Sequence, residues 1–159
     1  MSSVFPEIAL FLGDESVGRK RAESTLVDAV FGGASPSFNL ATFTAADGAE
    51  RALEVARTVP MMAKYRVVVV REMESASVPL LDALLKYAEK PNPSSVLILT
   101  GLKTPPATGG IDRGRRLEGA IKRLETGRVE RFKTGDQDPV RFAMATATEA
   151  GCTIGYRPA

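Results

Sequence analysis

The chain has 159 residues, 44% of them hydrophobic, which is enough for one sizeable core and leaves a second full domain cramped. It has no histidine and one cysteine, Cys152, so an internal disulfide, a cysteine metal cluster, a histidine-based zinc hydrolase and a histidine triad are excluded as built from this chain alone. A formal net charge of +2 is too small to argue for nucleic-acid binding as a total, so the distribution of charge matters more than its sum.

Taken in chain order, the first residues, "MSSVFPEIALFLGDE", have no basic region, and their apolar run is too short for a signal peptide. Nothing approaches a membrane span, so no membrane partner and a cytoplasmic protein are expected. Strand character appears at residues 8–13, 38–44, 66–72, 95–101 and 128–133. Helical spacing lies between these runs, at residues 17–31, 48–59, 78–90 and 115–126. Strands alternating with helices predict an α/β fold: a three-layer, doubly wound, mainly parallel sheet of about five strands. The unbroken valines 67–70 suit a central strand buried on both faces. Turn signals fall where this scheme needs them, at "GGASPS", "KPNPSS" and "GLKTPPATGGIDRG", and the last of these loops is expected to be the most mobile.

The first strand runs into Gly13, four residues, Gly18, Arg19 and Lys20, close to the spacing of a phosphate-binding P-loop. A working loop has a Lys that reaches the terminal phosphates and a Ser or Thr hydroxyl that ligates magnesium. Here Arg19 replaces the Lys, and Lys20 replaces the hydroxyl; an ammonium cannot ligate a metal and repels it. Asp14 and Glu15 add negative charge where phosphates would sit, and are better explained as the start of a helix, with Asp14 or Ser16 as its cap. Magnesium-dependent ATPases of this layout end another apolar strand with an acidic metal-organising pair. The matching stretch here is "VVVVRE", with Arg71 at that place. Both failures reverse the charge the chemistry needs, so the loop is degenerate, with no cofactor, no metal and no catalytic residue expected.

Residues 113–133, "RGRRLEGAIKRLETGRVERFK", hold eight basic residues against three acidic ones. They form either a solvated helix face or a patch that faces phosphates or a partner, and no aromatic ladder suggests stacked bases.

The succession "FLGDE", a basic helix, "FNLATFTAAD", "ALEVARTVPMMAKYRVVVVREME", "LLDALLKYAEKPNPSSVLILTG" and "AIKRLETGRVERFK" resembles the N-terminal domain of the delta subunit of bacterial DNA polymerase III. That subunit belongs to the clamp loader, a relative of AAA+ ATPases, and its delta member does not itself bind ATP. The resemblance implies an AAA+-like, clamp-binding domain over residues 1–135. It also implies the start of a second, helical, lid-like domain over residues 136–159. The rest of that domain, and the collar through which the family assembles, have no counterpart in these 159 residues, so a truncated chain is implied.

The resemblance also implies a site. The family inserts an exposed apolar pair into a hydrophobic pocket of the ring-shaped sliding clamp, and the pair maps onto Met61 and Met62. A Leu-Phe type is more usual there, but flexible, polarisable thioethers fill irregular pockets well. Judged by the residues alone, two methionines beside a central strand are more often core. Pro60 before them, and Ala63, Lys64 and Tyr65 after them, place the pair in a turn, where adjacent side chains cannot easily both face inward. Arg113, Arg115, Arg116, Lys122 and Arg123 are candidates for contact with DNA or a neighbouring subunit. Thr100 and Cys152 are given no role, and no arginine finger is assigned. The implied partners are the sliding clamp (beta), the other clamp-loader subunits (gamma/tau and delta prime) and, indirectly, primer-template DNA. The implied function is clamp binding and ring opening during DNA replication, without intrinsic catalysis. The alternatives are a P-loop-type nucleotide-dependent enzyme, and a non-enzymatic scaffold or receiver-like binding module.

Overall fold

Unbroken apolar runs in three of the predicted strands demand burial on both faces, and the structure provides it. The structure is a computed structural model that describes residues 5–32, 37–47 and 50–134. β1 (Ile8–Leu12), β2 (Leu40–Thr44), β3 (Arg66–Arg71), β4 (Ser95–Gly101) and β5 (Arg128–Arg131) form one sheet in the order β2-β3-β4-β1-β5. Every pairing is parallel, with Leu10 opposite both Leu99 and Val129, and Val68 opposite both Ala41 and Leu97.

Alternation along the strands divides the core into two layers. Ala9, Phe11, Val67, Val69, Val96 and Ile98 point to one face, where α1 (Ser16–Phe31) covers them with Ala22 and Leu26. Ile8, Leu10, Leu12, Val68, Val70, Leu97 and Leu99 point to the other. That side is covered by α2 (Glu50–Ala56), α3 (Val78–Glu89) and α4 (Arg113–Arg123), through Leu53, Leu80, Leu84, Leu117 and Ile121. Helices thus lie on both faces, as the pattern predicts. No helix among the described residues is long and apolar enough to cross a membrane.

Element ends differ from the sequence expectation where capping decides them. Glu15, rather than Asp14 or Ser16, caps α1, its carboxylate accepting from the Gly18 amide. Asp112 accepts from the Arg115 amide at 3.0 Å, so α4 starts at Arg113 and not Arg115. Residues 37–39 form a single 3-10 turn, and β2 therefore begins at Leu40. α2 stops at Ala56, with the Thr58 hydroxyl donating to the Val55 carbonyl at 2.6 Å. The loop after β4 carries a tight turn in which Thr108 and Ile111 exchange backbone hydrogen bonds of 3.0 Å. The expected second domain over 136–159, and Cys152 within it, lie outside the described residues.

Candidate functional site

The connections from β1 and β4 leave in opposite directions across the sheet, to α1 on one face and α4 on the other. This is the switch point at which α/β sheets bind ligands beyond the carboxyl ends of their strands. In this chain the β1 loop at that end is bonded to neighbouring backbone. The Gly13 amide donates to the carbonyls of Gly101 and Leu102 at 3.1 and 3.0 Å, and the Glu15 amide donates to Phe132 at 3.1 Å. The Glu15 carboxylate takes the Gly18 amide, so the anion at the start of α1 is part of the protein. Phe132 lies across the loop. A Cβ on Gly13, at φ 135°, would meet the Phe132 carbonyl oxygen at 1.9 Å, and one on Gly18 would meet the Phe132 ring at 2.8 Å. Asp14 accepts the Thr134 amide at 2.7 Å, and this bond holds its carboxyl below the usual range.

The metal-organising place is also filled. Arg71, the last residue of β3, makes a two-point ion pair with Glu23 of α1, Nη2 to Oε2 at 2.6 Å and Nε to Oε1 at 3.1 Å. Glu23 is buried, and its hydrogen bonds push the Arg71 guanidinium still further up. Thr100 is buried at the end of β4. Among the described residues no group of three acidic, Cys or His side chains could hold a metal ion. The residues present do not fit a magnesium nucleotide: the amides of Gly13, Glu15 and Gly18 already have partners, and the metal position holds a guanidinium.

The opposite end of the sheet is open. Residues 57–65 connect α2 to β3, and residues 37–39 lead into β2, so both segments sit at the amino ends of neighbouring strands. Met61 is 57% exposed, and Met62 is fully exposed with a left-handed backbone at φ 56°. Phe38 and Val59 are also exposed, at 77% and 81%. Phe38, Val59 and Met61 are tied to the domain through polar side chains. Arg66 donates to the carbonyls of Phe38 and Val59 at 3.2 and 3.3 Å, and Asn39 bonds both the amide and the carbonyl of Met61. An exposed apolar group of this kind is a usual mark of a docking surface. Sequence reasoning found Met61 and Met62 but missed Phe38 and Val59. Phe38 opens a run with strand alternation, and only the Pro60 turn hinted at Val59.

The five basic candidates separate into two groups. Arg113 is held by Asp82 of α3 at 2.7 Å and bonds the Thr108 hydroxyl at 3.1 Å. Lys122 pairs with Glu118 at 3.2 Å, and Glu118 also receives both guanidinium nitrogens of Arg131 at 2.6 and 2.8 Å. Arg115, Arg116 and Arg123 are exposed and make no ion pair among the described residues. They meet at a cleft of about 650 Å³ between α3 and α4, floored by Leu85, Gly119 and Ala120.

A five-stranded parallel sheet in this order, covered by helices on both faces, defines an α/β domain with the fold of a solved clamp-loader protein. The family model for the DNA polymerase III delta subunit matches residues 10–107, and the chain belongs to that family, its described residues forming the N-terminal domain. The family is one of DNA replication. Among solved structures it is similar to the Bacillus subtilis DNA clamp loader delta protein, with 18% identity and a TM-score of 0.63 over 91% of this chain and 43% of that one. It is also similar to a DNA polymerase III gamma subunit-related protein from Thermotoga maritima, with 17% identity and a TM-score of 0.57 over 89% of this chain and 44% of that one. The chain thus spans less than half the length of either protein. No curated protein matches it in sequence.

Proposed function

We propose that this chain docks on the ring-shaped sliding clamp through Met61 and Met62 and promotes opening of the ring, with no catalysis of its own. The observation that carries this is the displayed methionine pair, two large apolar side chains held in water on a turn whose backbone is pinned from the body of the domain. Burying both in a partner's pocket contributes on the order of 1.5–3 kcal/mol each before ordering losses. ATP is then bound and hydrolysed by other subunits, in the cytoplasm, and the partners within the clamp loader are gamma/tau and delta prime. The exposed Arg115, Arg116 and Arg123 face primer-template DNA or one of those subunits, with Arg113 and Lys122 beside them. Residues 136–159 begin the helical lid-like domain in this scheme.

The test is a variant carrying Met61→Ala and Met62→Ala, measured for binding to the sliding clamp of the same organism and for thermal melting. Affinity is expected to fall roughly a hundredfold or more, because buried apolar anchors carry most of an interface's energy. The melt is expected to stay where it is, because the removed atoms are in water. Unchanged affinity would remove the pair from the interface. Calorimetry with ATP and magnesium is expected to show no saturable heat, and saturable binding abolished by Gly18→Asp would favour a nucleotide-dependent enzyme instead.

A further inference from the structure

We infer that Asn39 is the positioning residue of the methionine turn, a role that rests on the docking proposed above and adds to it the device that presents the pair. Asn39 is 7% exposed, yet both polar atoms of its side chain are spent on one exposed residue. Its Oδ1 accepts the Met61 amide at 2.8 Å and its Nδ2 donates to the Met61 carbonyl at 2.7 Å, across 22 residues of sequence. The Met61 peptide groups have no need of this for their own sake, because on an exposed turn water would satisfy them. What the two bonds supply is a fixed geometry: a planar amide bonded at both ends to one residue holds its position and its orientation together.

The next residue shows what that geometry opposes. Met62 is at φ 56°, a left-handed conformation that an L-residue with a long side chain adopts only under strain. A free turn would relax to negative φ and point Met62 elsewhere. Arg66 adds a second brace at the base of the same turn through the carbonyls of Phe38 and Val59. The turn is therefore held in its displayed form before any partner arrives, and less ordering remains to be done on binding.

The experiment uses the whole 159-residue chain, with Asn39→Ala alone and combined with Met61→Ala and Met62→Ala. Three quantities are read: amide exchange at Met61, clamp affinity and the melting temperature. Asn39→Ala is expected to speed Met61 exchange at least tenfold and to weaken clamp binding roughly tenfold, the equivalent of two modest hydrogen bonds. In the methionine-free background it is expected to leave residual clamp binding within twofold while shifting the melt as much as it does alone. A merely structural Asn39 would lower the melt but show no such coupling with the methionines. If Asn39→Ala does not fold, Asn39→Asp replaces it, keeping size and the acceptor while losing the donor to the Met61 carbonyl. Unchanged Met61 exchange overturns the inference, as does faster exchange with clamp affinity kept within twofold. If the unmodified chain binds no clamp, the docking proposal fails by itself, and Met61 exchange alone decides whether Asn39 holds the turn.

Discussion

The two ends of the sheet have divided the work of the domain. At the carboxyl end the β1 loop, the end of β4 and the segment after β5 satisfy one another's amides, and charges meet their partners inside the protein. At the amino end four apolar side chains stand in water on a braced turn. In a nucleotide-binding relative of this architecture the first end would be the open one. Glu15 takes the Gly18 amide at the start of α1 and Arg71 stands against Glu23, whereas the buried Nε of Arg19 has no hydrogen-bond partner among the described residues. Substitutions at the closed end should therefore change stability and leave docking alone, and those at the open end should do the reverse.

The largest stability effect is expected from Gly13→Ala. It places a Cβ where the Phe132 carbonyl already lies, at a φ of 135° that only glycine adopts easily. A loss of about 3 kcal/mol or more is expected from the combined strain and overpacking, read as a lower midpoint in urea. Clamp affinity of the folded fraction should be unchanged. A stable Gly13→Ala variant would mean that the loop is not held against Phe132.

Arg71→Met comes next. It keeps the stem of the side chain but leaves the Glu23 carboxylate buried without its partner. Arg71 is itself about half exposed, which screens the pair, so the expected loss is about 2 kcal/mol rather than the larger figure of a fully buried pair. The variant is also expected to gain no affinity for magnesium ATP, because Glu15 still occupies the Gly18 amide. Nucleotide binding restored by this one change would break the comparison, since it would show that a single charge closes the site.

How much of this was legible in the sequence follows the same division. The strands and helices were legible because a parallel sheet buried on both faces leaves unbroken apolar runs such as Val67 to Val70 and Val96 to Leu99. The chemical failure of the loop was legible too, because Lys20 and Arg71 have the wrong charge, and Arg19 a different head group, wherever their partners lie. What closes the loop was not. Glu23 lies 48 residues before Arg71 in the chain, and Phe132 comes over Gly13 and Gly18 from beyond β5. No local pattern announces such meetings. The same holds at the open end: "MM" after a proline marks a turn, but the Asn39 clamp on Met61 spans 22 residues. Phe38 looked like the first residue of an alternating strand, and it is exposed because the chain makes a 3-10 turn before β2 begins.

The smallest expected effect separates the two ends by pH. The Arg131 guanidinium, hydrogen-bonded to Glu118, and Lys122 behind it hold the Glu118 carboxyl down to about 2. A depressed carboxyl contributes stability that is fully present above its unfolded value of 4.5 and lost as pH falls through about 2. Arg131 and Lys122 are each about half exposed or more, so solvent screening limits the contribution to about 1 kcal/mol. Glu118→Gln is accordingly expected to be about 1 kcal/mol less stable than the unmodified chain at pH 7, with the gap closing between pH 4.5 and 2. Urea midpoints of the two proteins across that range read the effect directly. Clamp affinity of the variant at pH 7 should match that of the unmodified chain, since Met61 and Met62 carry no titrating group. A gap that persists unchanged at pH 2 would mean that packing around Glu118, and not its charge, joins α4 to β5.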